Sequence, residues 1–134
     1  MLLGCGSFIN KTNRVCHNKY CFEVELARDQ EEWTKGLQDR LHMDENKGML
    51  FIFLEPSNKK FWMKDTLIPL DIIWLDYASR IVHIDPNVPP CRFDPCPTYG
   101  PDKKINYVLE LNGGMAAKAG MKVGDRLDII CKFE

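Results

Sequence analysis

Residues 61–76, FWMKDTLIPLDIIWLD, constrain the fold more than any other stretch of this chain. Ile72, Ile73, Trp74 and Leu75 form an apolar run without polar alternation, and such a strand needs cover on both faces. A strand covered on both faces belongs at the middle of a small domain. Just upstream, Phe61 and Met63 alternate with Lys60, Trp62 and Lys64, the period-two pattern of a half-buried strand. Asp65-Thr66 and Pro69 turn the chain between the two segments.

The flanking sequence supplies further strands and two short helices. Tyr20, Phe22, Val24 and Leu26 alternate with Cys21, Glu23 and Glu25, which predicts a strand with one wet face. Asp29 and Glu32 have capping-box spacing, so a helix is expected from there to about Gln38, with Trp33 and Leu37 facing inward. Gly36 either costs that helix about 1 kcal/mol relative to alanine or breaks it. Residues 49–54 read as a second buried strand, joined to the segment at Phe61 by a hairpin through 55–58. Residues 80–84 and 105–111 are further strands, and Leu127, Ile129, Cys131 and Phe133 mark the inward face of a closing one. Asn112 is placed to cap a short helix over 115–119. The expected fold is mainly β (α+β): a compact single-domain antiparallel sheet or barrel-like body with two short helices. Residues 1–18 read as an N-terminal tether and 19–134 as a single β-rich domain. A length of 134 residues and an apolar fraction of 45% agree with one domain and a moderate core.

The balance of 18 basic and 19 acidic residues gives a net charge of −1, which offers no basis for a nucleic-acid partner. No apolar run reaches the ~18 residues of a membrane span. Six cysteines in a chain of this length favour an oxidising compartment. Cys16 with Cys21, and Cys91 with Cys96, share one spacing and are the candidate local disulfides, against the alternative of reduced thiols. Their spacing is poor for a zinc knuckle, and neither a metal nor a cofactor is expected. Cys131 reads as a buried thiol and His17 as a solvated turn residue. Leu2-Leu3-Gly4-Cys5 resembles a lipoprotein processing site, which makes Cys5 a candidate for lipidation, although no basic and apolar leader precedes it. Export to the periplasm or cell envelope, with an anchor through Cys5, is the expected location.

Residues 86–101 hold six of the eight prolines. Each fixes φ and removes a backbone donor, so this is a long stiff loop, either lining a cleft or covering a sheet edge. Gly36-Leu-Gln-Asp-Arg40, Gly48-Met-Leu-Phe-Ile-Phe53, the segment from Phe61 to Asp71, Pro95-Cys-Pro-Thr-Tyr99, Tyr107-Val-Leu-Glu-Leu111 and the turn at Gly120 to Asp125 together resemble domain-of-unknown-function family 192 over residues 20–133. The resemblance implies a compact β-rich single domain with short helices, and many members look exported. It implies no reaction. Asp65 stands where the family pattern more often has asparagine.

The motifs place Arg40, Lys64, Asp65, Thr66, Asp71, Glu110 and Asn112 beside apolar strand runs. A charge buried there needs a partner, and the expected pairs join Arg40 or Lys64 to Asp71 or Glu110. Such a network either only fixes the fold or lines a pocket. In the second case Arg40, Trp62, Lys64, Thr66, Asp71, Tyr99 and Glu110 are the candidate ligand-binding residues. Trp62 and Tyr99 would then serve as walls and Lys64 would face a small anionic or sugar-like ligand. Three functions follow: a cell-envelope binding or accessory domain, a hydrolase with Asp71 or Glu110 as general base, and a thiol-disulfide role for Cys91 and Cys96. No Ser-His-Asp order, phosphate loop or HExxH motif supports the second, and His83 reads as an ordinary strand histidine.

Overall fold

β5 (Leu70–Leu75) is buried at every position, as its unbroken apolar run predicts. Leu70, Ile72 and Trp74 enter one core cluster while Ile73 and Leu75 enter another, so its two faces serve two halves of the core. The computed structural model describes residues 12–131. Within them β5 pairs antiparallel with β6 (Ile81–Val88) on one side and β8 (Ile105–Asn112) on the other. The sheet continues from β8 through β3 (Lys47–Ser57), β2 (Tyr20–Ala27) and β1 (Arg14–His17) to β9 (Asp128–Ile130), seven strands curled into a half-barrel.

β3 and β8 repeat the division seen in β5. Met49, Phe51, Phe53 and Val108 face the cluster of Trp74, and Leu50, Ile52, Leu109 and Leu111 face the cluster of Ile73. α2 (Met115–Lys118) and the segment to Leu127 close the second cluster. α1 (Gln30–Lys35), Leu37, Met43, Phe61 and Met63 cover the first. The β-rich class and the two short helices are therefore as expected. At α1 the Asp29 carboxylate accepts the Glu32 amide at 2.9 Å as the expected cap, and Glu32 reaches back to accept the Arg28 amide, one residue before the cap, at 2.7 Å. The helix breaks at Gly36, whose φ of 48° suits glycine.

Several details depart from the sequence reading. β2 and β3 run parallel, from Glu23 opposite Lys47 to Ala27 opposite Phe51, so the sheet is mixed rather than antiparallel. The connection through α1 is long enough for the crossover that a parallel pair requires. No hairpin joins β3 to the next strand: β2 and β8 already occupy both of its edges. β4 (Phe61–Trp62) therefore pairs with β7 (Thr98–Tyr99) in a separate two-stranded sheet. β1 sits between β2 and β9, which brings residues 14–17 of the expected tether into the sheet. His17 is buried rather than solvated, bonded to the Ala119 carbonyl at 2.8 Å and to Asp125 at 3.1 Å. Cys131 is buried but disulfide-bonded, not a thiol. Cys5, Lys132 and Phe133 lie outside the described residues.

Asn112 does not cap α2; its amide donates to the carbonyls of Met43 and Asp44. Asp71 takes that role from the neighbouring strand. It is 1% exposed and accepts the amides of Asn87 at 2.7 Å, Gly114 at 3.0 Å and Ala116 at 2.7 Å. One carboxylate thus ties β5 to the end of β6 and to the first turn of α2. Removing it would leave the buried Ala116 amide without an acceptor and free the part-buried amides of Asn87 and Gly114. Asp71→Ala is expected to lose about 3–5 kcal/mol of stability in urea unfolding at neutral pH, and Asp71→Asn less, because its amide oxygen still accepts.

Candidate functional site

The cations of the motifs find partners at the surface. Arg40 grips Glu25 through both guanidinium amines, with Nη2 2.8 Å from Oε1. These hydrogen bonds hold the Glu25 carboxyl below its ordinary range and raise the Arg40 guanidinium. Arg40 lines a shallow cavity of about 340 Å³ with Glu23, His42, Asp44 and Lys47. There Lys47 pairs with Glu23 and His42 with Asp44, so these charges are spent on one another. Lys64 reaches Asp94 in the proline-rich loop at 2.9 Å. The expected pairing of Arg40 or Lys64 with Asp71 or Glu110 is not formed. Asp71 is filled by backbone amides, and each cation has a surface carboxylate nearer to hand. His83 shares Asp85 with the Trp74 indole, as an ordinary strand histidine can.

The proline-rich loop is tied to the segment that follows β3. Cys91 and Cys96 are disulfide-bonded, as are Cys16 and Cys21. Cys91 bridges to Lys64 through the backbone, and its carbonyl accepts the Asp65 amide at 3.0 Å. Tyr99 lies opposite Phe61 and Thr98 opposite Trp62. Lys60 locks the far end: its Nζ donates to the carbonyls of Gly100 at 2.9 Å and Pro101 at 2.7 Å, and meets Asp102 at 3.1 Å. A Cβ on Gly100 would come within 2.9 Å of the Trp74 ring, so the loop presses against the central strand.

Between α1 and β4 a cavity of about 250 Å³ opens onto the sheet. α1 contributes Gln30, Trp33 and Thr34, β3 Phe51, and β4 Phe61 and Trp62, with Thr66 and Glu110 deeper inside. Trp33 is fixed by its indole bond to the Ala27 carbonyl at 3.0 Å and by packing on Phe53, with ring centroids 4.7 Å apart. Trp62 is 49% exposed. Lys59 and Lys60 border the opening, but Lys59 lies over the Trp33 ring and toward Gln30, while Lys60 is held as described above.

Glu110 is the unusual member. It is 5% exposed and stands on β8 opposite Met49 on one side and Ile72 on the other. Among the described residues its carboxyl has no ion-pair or hydrogen-bond partner. Burial alone pushes its pKa up to about 8. Of the residues singled out in the sequence, this cavity brings together Trp62, Thr66 and Glu110. Arg40, Lys64, Asp71 and Tyr99 do not line it. Sequence reasoning missed Gln30, Thr34 and Phe51 as lining residues; Trp33 was expected only as a core contact. The capping box that fixes α1 was the one available signal.

Two solved structures share this architecture. A protein of unknown function from Novosphingobium aromaticivorans DSM 12444 is 35% identical with a TM-score of 0.78, over 87% of this chain and 82% of the other. A protein from Sinorhizobium meliloti 1021, described as a candidate transcription regulator, is 32% identical with a TM-score of 0.78, over 92% of this chain and 98% of the other. No curated protein matches the sequence. The pattern of DUF192, described as "Uncharacterized ACR", matches residues 12–129, and the chain therefore belongs to domain-of-unknown-function family 192.

Proposed function

We propose that this domain binds a small molecule in the cavity between α1 and β4, with Glu110 as its polar anchor. The observation that carries this reading is the Glu110 carboxyl itself, buried, without a partner and opening onto that cavity. A buried polar group left unpaired is destabilising, and a packed core has ready apolar substitutes for it. Groups of this kind gather at functional sites, where a ligand supplies the missing partner. The volume of about 250 Å³ lies just below the range of about 300–1,000 Å³ usual for drug-sized ligands and suits a small molecule, and aromatic side chains form part of its walls.

Binding is better supported than hydrolysis. Glu110 is the one carboxyl among the lining residues, whereas paired-carboxylate hydrolysis needs two. Asp71 has both oxygens engaged by amides and does not face the cavity. The thiol-disulfide reading has less support, because Lys64 beside the Cys91–Cys96 loop is neutralised by Asp94. Regulation of transcription, suggested by the description of the Sinorhizobium protein, draws no support from a net charge of −1. The two local disulfides support work in an oxidising compartment, with export to the cell envelope as the proposed location. No helix among the described residues is long and apolar enough to cross a membrane.

The cost of Glu110 is open to measurement. From its ordinary 4.5 up to about 8 the folded chain keeps the proton that the unfolded chain releases. Stability then falls as pH rises through that window, by about 1.4 kcal/mol per unit, and levels off above it. Glu110→Gln removes this slope, so in urea unfolding the variant should gain on the parent between pH 5 and pH 9. Parallel profiles for the two proteins would contradict the burial of an unpaired acid. For binding itself, a screen of small polar molecules by heteronuclear NMR should give hits that shift the Trp33 and Trp62 indole resonances, and Trp62→Ala should weaken those hits about tenfold without unfolding the domain. A library that leaves both indoles unmoved would end the binding reading.

A further inference from the structure

Resting on the reading of this cavity as a ligand site, we infer that it selects neutral polyhydroxylated ligands of single-sugar size, and that Glu110 holds them by donating its carboxylic proton to a ligand oxygen. Three features of the cavity converge on that class. The first is charge. Two of the three lining lysines have partners: Lys60 Nζ two carbonyls and Asp102, and Lys59 Nζ the Trp33 face and Gln30. Lys35, the third cation of the lining, belongs to the exposed side of α1. An anionic ligand would find two of the three lining lysines already engaged.

The second feature is the surroundings of Glu110. Its cross-strand neighbours, Met49 on β3 and Ile72 on β5, are apolar. Of the residues that line the cavity, the charged ones are Lys35 of α1, Lys59 and Lys60 before β4, and Glu110 of β8; Glu31 and Glu32 of α1 and Lys47 and Glu55 of β3 stand outside the lining. None of the three lysines forms an ion pair with Glu110. The acid is therefore protonated at neutral pH, in agreement with its raised pKa. A protonated carboxyl offers one strong donor and one acceptor, which matches a hydroxyl or ring oxygen with an adjacent hydroxyl. The third feature is the wall. Trp62, half exposed, and Thr66, buried, both line the cavity. An aromatic face beside a few fixed polar groups suits a molecule with apolar C–H faces and polar edges.

A matched set of probes tests this: methyl α-D-glucoside, its 6-amino-6-deoxy analogue and the corresponding 6-carboxylate, with the galacto and manno series in parallel. Calorimetric or NMR titration at pH 6 should rank the neutral glycoside of the preferred series above its charged analogues. Its affinity should fall at least tenfold between pH 6 and pH 9.5 as Glu110 ionises. Glu110→Gln, whose amide still donates, should bind the neutral glycoside with less than a twofold change over that range. Trp62→Ala should weaken it at every pH. The inference is overturned if the amine binds tightest, which would make Glu110 a carboxylate awaiting a cation. Tighter binding of the carboxylate probe, a pH profile unchanged by Glu110→Gln, or no binding by any series overturns it equally. In the last case, indole shifts from the broader library would still preserve the cavity as a ligand site.

Discussion

Burial of β5, β8 and β3 on both faces is the constraint from which the rest of this structure follows. A strand with water on one face can place a charge there at little cost. A strand covered on both faces cannot, so any acid within it must be matched by the protein or left to something else. Two buried acids occupy these strands, and they face opposite ways; Glu55 lies at the exposed end of β3. Asp71 lies opposite Leu111, on the side closed by α2, and Glu110 lies opposite Ile72, on the side covered by α1. Asp71 is matched by three backbone amides. Glu110 is matched by nothing in the described chain and lines a cavity instead. The same topology thus produces one structural clamp and one candidate anchor.

The residues that carry the family resemblance divide along the same line. Gly48 is required by close approach: a Cβ there would stand 2.5 Å from the Glu110 carbonyl oxygen, so β3 and β8 could not keep their spacing. Asp39 and Asp65 both have positive φ, 66° and 59°, and the Asp39 amide donates to the Asp65 carbonyl at 2.9 Å. Asparagine and aspartate tolerate that conformation better than most residues. Aspartate at position 65 therefore suits this conformation and places a charge at an exposed turn. Loops 36–40, 61–66 and 91–99 lock one another through these contacts. Of the polar and aromatic motif residues, Gln38, Phe51, Phe61, Trp62, Thr66 and Glu110 line the cavity.

Local patterns in the sequence revealed the local structure. The unbroken Ile72–Leu75 run, the Asp29–Glu32 capping box, the alternation after Tyr20 and the paired cysteine spacings each correspond to contacts within a few residues. What stayed hidden depends on partners far apart in the chain. Nothing in residues 47–57 announces that both edges of β3 are taken, so the hairpin to Phe61 looked natural and the parallel pairing with β2 did not. Asp71 draws its amides from Asn87, Gly114 and Ala116, positions that no spacing rule connects. Alternation places Glu110 on a strand beside Leu109 and Leu111, but periodicity cannot separate a paired buried acid from an orphaned one. The cavity has the same difficulty, since its walls come from α1, β3, β4 and β8.

A site of this kind works only if its walls do not collapse onto the orphaned group. The floor is set by the sheet, where pairing on both sides fixes the Glu110 backbone between Met49 and Ile72. One wall is α1, too short to be stable alone and held by its capping box and the Trp33 indole bond. The other is β4, only two residues long, and its position depends on β7 and therefore on the loop closed by Cys91 and Cys96 and clamped by Lys60. Lys60 thus has two consequences: it fixes the loop against β4, and it keeps its charge away from Glu110. Were its ammonium free to turn inward, it would pair with the acid, lower its pKa and fill the space. Holding the lysine on carbonyl oxygens keeps the carboxyl both neutral and available.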